Sequence, residues 1–221
     1  MSAAMSTAGP QSLDIGEAFG YVFRSRNWFG KLAVGALCLL FFWLLFIPAF
    51  ILLGYNIEAA RVTRAGGREL PPWSDIGKKL TDGFLLAVAL FVWNLPGIIL
   101  ESAGGGGRGS SSALAPLGGL YGLLVGFLTA AIWNQYLDGG LGAAFDFGAV
   151  FRRAGFNPGL TVIVWLMGIV AGIIGFLGII AVVIGILFTI PYAYAMLAHL
   201  YGQYGRITEA AAAPARPTTS S

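Results

Sequence analysis

The sequence predicts an all-α polytopic membrane protein, a helical bundle of about six spans carrying three interfacial amphipathic helices. Three observations support this. Of the 221 residues, 57% are hydrophobic and only 10% charged, and the mean hydropathy is +0.78. A soluble domain carries about 25% charged residues, so a compact soluble globule of this composition could not be covered by polar surface. The charges are also gathered between charge-free windows at residues 32–57, 83–100, 109–137 and 154–205. Finally, one short polar-apolar pattern recurs ahead of these windows. Disorder is excluded for most of the chain by its apolar content. The 33 glycines show no three-residue period and there is one cysteine, which excludes collagen-like and disulfide-rich classes.

Residues 1–12 are small and polar and contain no Lys or Arg. They read as a flexible tail. A cleavable leader needs a basic start and an early apolar run, so the first span is expected to act as an uncleaved insertion signal. A helix rises about 1.5 Å per residue and the hydrocarbon core is about 30 Å thick, so a span takes ~20 residues. Windows 83–100 and 109–137 each fit one span, joined by the Gly-rich loop Glu101–Arg108. Window 154–205 must fold into two, with a turn expected near Gly175–Gly178.

Window 32–57 fits either one tilted helix or a hairpin turning near Ile47-Pro48, and the sequence leaves both open. Positive charge favours the hairpin, because cytoplasmic loops collect Lys and Arg. With six spans, Arg24, Arg26, Lys31, Arg61, Arg64, Arg68, Lys78, Lys79, Arg152, Arg153, Arg206 and Arg216 share one side, and only Arg108 faces the other. Both termini are then cytoplasmic. Residues 207–221, rich in Ala, Pro, Ser and Thr, are expected to be disordered.

The recurring pattern is Asp14-Ile15-Gly16, Asp75-Ile76-Gly77 and Asp146-Phe147-Gly148, each followed three residues after the Gly by Phe19, Leu80 or Phe151. Apolar residues at helical spacing mark surface helices over 13–25, 73–82 and 145–155. Their basic residues (Arg24 and Arg26, Lys78 and Lys79, Arg152 and Arg153) would meet anionic lipid. The single domain 13–206 then divides into three units of surface helix plus hairpin, 13–66, 73–138 and 145–206. Ordinary Asp-capped helix starts would give the same three residues.

The first half runs through Ile47-Pro48, Gly54-Tyr55, Arg61, Gly66-Gly67, Leu70-Pro71-Pro72-Trp73, Asp75 and Asp82-Gly83 to a span containing Pro96. This order resembles the prokaryotic multi-pass membrane family catalogued as domain of unknown function 4013, over roughly residues 13–206. The resemblance implies a polytopic protein of the cell (inner) membrane in archaea or bacteria. That family has no established activity, so no functional residues carry over.

No catalytic constellation is expected, and no cofactor or metal site. Gly104-x-Gly106-x-x-Gly109 has the spacing of a dinucleotide fingerprint, but it joins two membrane helices instead of a strand and a helix. One His and one Cys cannot build a typical zinc site, and Cys38 reads as a small buried hydrophobe. His199 reads as a polar group near a helix end.

Polar residues within lipid are functional candidates by default. Asn94, Asn134 and Gln135 are the candidate cavity-lining residues, with interhelical hydrogen bonding as their ordinary role. Pro96 removes the helical donor for the Val92 carbonyl and could mark a broken helix. Gly118, Gly122 and Gly126 form a row expected to pack closely against another helix, and Gly168 and Gly172 form a shorter one.

The function expected is that of a non-enzymatic membrane protein, a subunit or organiser of a membrane assembly. The alternative is a channel or transporter for a small solute or lipid. The expected partners are the lipid bilayer and either a second copy of the chain or other membrane subunits. Nucleic-acid binding is not expected, since 13 basic residues are spread along membrane edges.

Overall fold

The structure is a computed structural model that describes residues 12–40, 47–104, 114–180 and 183–209. Among these, the chain is all helical: α1 Ile15–Arg24, α2 Trp28–Leu40, α3 Ile47–Arg64, α4 Ile76–Gly104, α5 Leu114–Ala144, α6 Phe147–Phe156, α7 Pro158–Ile180 and α8 Val183–Ile207. Three stretches are long and apolar enough to cross a bilayer, namely Ile76–Gly104, Leu114–Ala144 and Pro158–Phe176, while the apolar Trp28–Leu39 is shorter. That is fewer than the six spans expected. In α3, Glu58, Arg61 and Arg64 occupy the last two turns and interrupt the apolar run.

Two of the three Asp-apolar-Gly motifs form the same structure. Asp14 Oδ1 accepts from the Glu17 N–H at 2.7 Å and Asp146 Oδ1 accepts from the Ala149 N–H at 2.9 Å, each capping a ten-residue helix. These caps satisfy helix-start N–H groups that have no intrahelical partner. The middle motif differs. Asp75 sits at φ +52°, and the separate surface helix expected over 73–82 does not exist. Instead α4 runs unbroken from Ile76, about 43 Å at 1.5 Å per residue. Nothing between Leu80 and Leu85 stops it, because Gly83 is held tightly in the helix by α3.

Other boundaries also shift. Pro96 lies inside an intact α4, so the broken-helix expectation is not met. Residues Gly175–Gly178, where a turn was expected, are helical within α7, which runs to Ile180. Helix α5 is interrupted at Gly139 and Gly140, where Gly140 takes φ +69°, a left-handed conformation open to glycine without penalty. The expected terminal tails fall mostly outside the described residues. Thr208, however, is fully buried and donates to the Tyr204 carbonyl, so order extends past 207.

Helices α3 and α8 lie at the centre: α3 packs on α4 and α8, and α8 packs on α7, α3, α2 and α1. Glycines set the closest approaches, though not the expected ones. A Cβ at Gly54 would overlap the Lys79 carbonyl and one at Gly83 the Phe50 carbonyl, so α3 and α4 meet backbone to backbone. Gly202 brings α8 to 2.6 Å of the Ala60 carbonyl by the same measure.

The row Gly118, Gly122 and Gly126 is not one continuous contact. A Cβ at Gly118 would sit 2.5 Å from Glu101 Cγ and one at Gly126 would sit 3.3 Å from Trp165 Nε1, but among the described residues nothing lies within 4 Å of one at Gly122. Packing inside the chain therefore covers the ends of the row and leaves its middle open. Gly168 and Gly172 are likewise open.

Candidate functional site

The polar side chains gather at one end of the bundle. The segment after α3 folds back beneath it: Leu70 is buried, Trp73 stacks on Tyr55 with ring centres 4.1 Å apart, and the Tyr55 hydroxyl donates to the Pro71 carbonyl at 3.2 Å. Prolines 71 and 72 have fixed φ and no N–H, which suits an extended strap with no backbone donor at these two positions. Lys31 closes it, its Nζ donating to the Leu70 carbonyl at 2.5 Å while its own carbonyl accepts from Trp73 Nε1 at 3.0 Å.

Helix α1 docks on the same end. Ala18, Tyr21 and Val22 are buried, and the Tyr21 ring stacks on His199 at 4.2 Å. The Tyr21 hydroxyl donates to the Glu69 carbonyl at 3.1 Å, and burial raises its pKa to about 12. Gln203 exchanges two hydrogen bonds with the Asp14 backbone, at 2.8 and 3.1 Å. His199 Nδ1 meets Thr63 Oγ1 at 2.9 Å. The expected surface helix is thus half tertiary contact, and its outward residue is Phe23. In α6, Val150 and Ala154 face inward while Phe147 and Phe151 face out.

Ion pairs complete the clasp. Arg61 bonds Asp82 at 2.5 Å, and the Asp82 carbonyl also accepts from the Tyr136 hydroxyl at 3.0 Å. Lys79, 2% exposed, pairs with Glu58. Asp138 bridges Arg64 and Arg153, at 2.5 Å each. Arg153 is 0% exposed, and burial lowers its pKa against the pull of the Asp138 carboxylate. Two cations expected at the lipid headgroups, Lys79 and Arg153, are therefore turned inward, while Lys78 and Arg152 remain exposed. A helix that packs on protein along one side carries its cations on both sides, and spacing in the sequence does not separate them.

The candidate cavity residues do not converge. Asn134 is fully buried, and its Nδ2 donates to the carbonyls of Ala130 in its own helix and Tyr201 in α8, both at 2.9 Å. A Cβ at Gly205 would overlap its side chain, so α8 fits against α5 only because that position is glycine. Gln135 is buried and its Nε2 has no partner. Asn94 is half-buried and donates back to the Leu90 carbonyl at 2.7 Å.

A cavity of about 920 Å³ lies elsewhere, between α2, α3 and α4 on one side and α7 and α8 on the other. Sequence reasoning did not select the polar residue lining it, Asn56, because that side chain sits beside the Glu58 charge at a window edge. Among the described residues no three His, Cys, Asp or Glu side chains come together as metal ligands would.

The residues of the clasp are those whose order along the chain carries the family resemblance. Gly54 touches α4 where Gly83 touches α3, Tyr55 stacks on Trp73, and Arg61 pairs with Asp82. No curated protein and no solved structure matches the chain. Residues 37–184, well over half of the sequence, match the family described as Protein of unknown function (DUF4013). The chain belongs to that family.

Proposed function

We propose that this protein is a non-enzymatic subunit or organiser of a membrane assembly, set in the cell (inner) membrane with six spans and both termini cytoplasmic. The observation that carries the assembly reading is the outer face of α5. Leu117, Leu120, Leu123 and Leu124 are exposed there, and among the described residues nothing lies within 4 Å of a Cβ at Gly119 or Gly122. Small residues on an apolar face let a neighbouring helix approach closely in lipid, where van der Waals contact replaces the hydrophobic drive. The polar side chains, by contrast, serve as internal ties: Asn134 joins α5 to α8 and Arg153 joins α6 to α5.

The six-span topology is supported by the clasp. Glu17 of α1 meets Arg68 at 3.4 Å and Tyr21 meets Glu69, so the chain before α2 and the chain after α3 lie at one end. That arrangement suits a hairpin of α2 and α3. Asp138, Arg153 and Glu209 join the same end through Arg64. Exposed Phe23, Phe147 and Phe151 fit helices dipping into the headgroup boundary.

Purification in mild detergent with mass measurement tests the assembly reading. A particle larger than the 23.2 kDa chain, shrinking on Leu120→Lys, is expected. A monomer that co-purifies with nothing would overturn it. A reporter after Gly66 should lie on the cytoplasmic side, and one at Gly105 outside. The second reading, transport of a small solute or lipid, is favoured by the cavity beside α7.

A further inference from the structure

We infer that the cavity between α3, α4, α7 and α8 is a binding site for a single long-chain lipid bearing one hydrogen-bond donor, such as a fatty alcohol or amide. This holds under either functional reading above. The cavity holds about 920 Å³ and none of its lining residues is charged. Ligand pockets run from about 300 to 1,000 Å³ and are mostly apolar with a few placed polar groups. Its α7 wall is Gly168, Ala171, Gly172 and Gly175, with Phe176 at one end; the four small residues have almost no side chain to fill the space, and among the described residues nothing lies within 4 Å of a Cβ at Gly168 or Gly172. An apolar void forfeits dispersion contacts on one side, and in a bilayer the molecules at hand to fill it are lipid chains.

The size selects a chain over a helix. One turn of α-helix with its side chains fills on the order of 500 Å³. The cavity would hold fewer than two turns, whereas a helix crossing the core needs about five or six. A slender hydrocarbon chain fits the same volume along its length.

The polar group that selects a donor is Asn56. It lines the cavity, is 2% exposed, spends its Nδ2 on the Leu52 carbonyl, and leaves Oδ1 with no partner. An unmet buried acceptor is costly, and the terminal amide torsion is soft enough to turn Oδ1 toward an arriving hydroxyl. Tyr194, the other polar lining residue, is exposed toward the rim.

The test uses the full-length protein in nanodiscs with a diazirine-bearing hexadecanol, mapping the crosslinks by mass spectrometry. Labelling is expected on cavity-lining residues such as Leu53, Ala171 and Leu197. Unlabelled hexadecanol should compete about fivefold better than hexadecane, the worth of one neutral hydrogen bond. Asn56→Leu should erase that preference while labelling persists, and Gly172→Trp should block labelling with the thermal midpoint retained. If Gly172→Trp does not fold, Gly172→Leu, a smaller intrusion at the same open position, replaces it. Labelling spread equally over Leu120 and Leu124 of α5 would overturn the site. Equal competition by alcohol and alkane would overturn the role of Asn56. Crosslinks from the cavity to a second copy of the chain would show a protein occupant and overturn the lipid, while loss of the assembly in detergent would leave the labelling pattern unchanged.

Discussion

The two ends of the bundle are built by opposite means. At the end that gathers α1, the strap after α3 and the last turns of α5 and α8, ring stacking, hydrogen bonds and ion pairs join the elements: Trp73 on Tyr55, Lys31 on Leu70, Asp138 between two arginines. Toward the other end α3 and α4 stand apart from α7 around a mostly apolar cavity whose α7 side is largely glycine and alanine. Directional bonds specify one geometry and are costly when broken. Apolar contact in lipid specifies little, because a lipid chain substitutes for a side chain at small cost. The clasp therefore sets how the helices are arranged, and the hollow leaves room for something else.

The largest test of that contrast is Asp138→Asn. It leaves Arg153 buried with no counter-charge, and breaking a buried pair costs roughly 3–5 kcal/mol. Unfolding in graded SDS should show a loss of that size. A loss below about 1 kcal/mol would mean that the clasp is a wet, exchangeable surface.

Next comes Gly83→Val, which drives a side chain into the Phe50 carbonyl and should cost about 1–3 kcal/mol as overpacking. Gly77→Ala, six residues earlier with open space around it, should be neutral or slightly stabilising by comparison.

Tyr55→Phe keeps the stack on Trp73 and removes only the bond to the Pro71 carbonyl, so about 1 kcal/mol is expected, read as a lowered thermal midpoint.

The smallest effect is expected for Gly122→Leu. Among the described residues nothing lies within 4 Å of a Cβ there, so monomer stability should change by less than about 0.5 kcal/mol. A drop in particle mass with stability unchanged would place a neighbouring subunit on that face. A large loss of monomer stability would show that the apolar part of the bundle is packed as tightly as the clasp.

The family resemblance was legible because its residues touch one another. Gly54, Tyr55, Arg61, Trp73, Asp82 and Gly83 are scattered in sequence yet form one interlocked end, and a pattern maintained by mutual contact shows as a pattern of residues. The Gly row in α5 was visible as well, but its role was not. Spacing placed Gly118, Gly122 and Gly126 on one face without saying that Glu101 covers the first and nothing in the chain covers the second. Asn56 escaped notice because its importance depends on the cavity beside it.

By itself the sequence determined the helical class, the N-caps at Asp14 and Asp146 and the location of polar segments between apolar runs, because these depend on composition and on contacts a few residues apart. Only the tertiary structure decided that Lys79 and Arg153 turn inward, that α4 continues where a surface helix was expected, and which glycines bring backbones together. The physical reason lies in the apolar helices themselves. A helix hydrophobic on every side carries no periodic signal to orient it, so its rotation is set by close packing and by a few buried polar bonds between residues far apart in the chain.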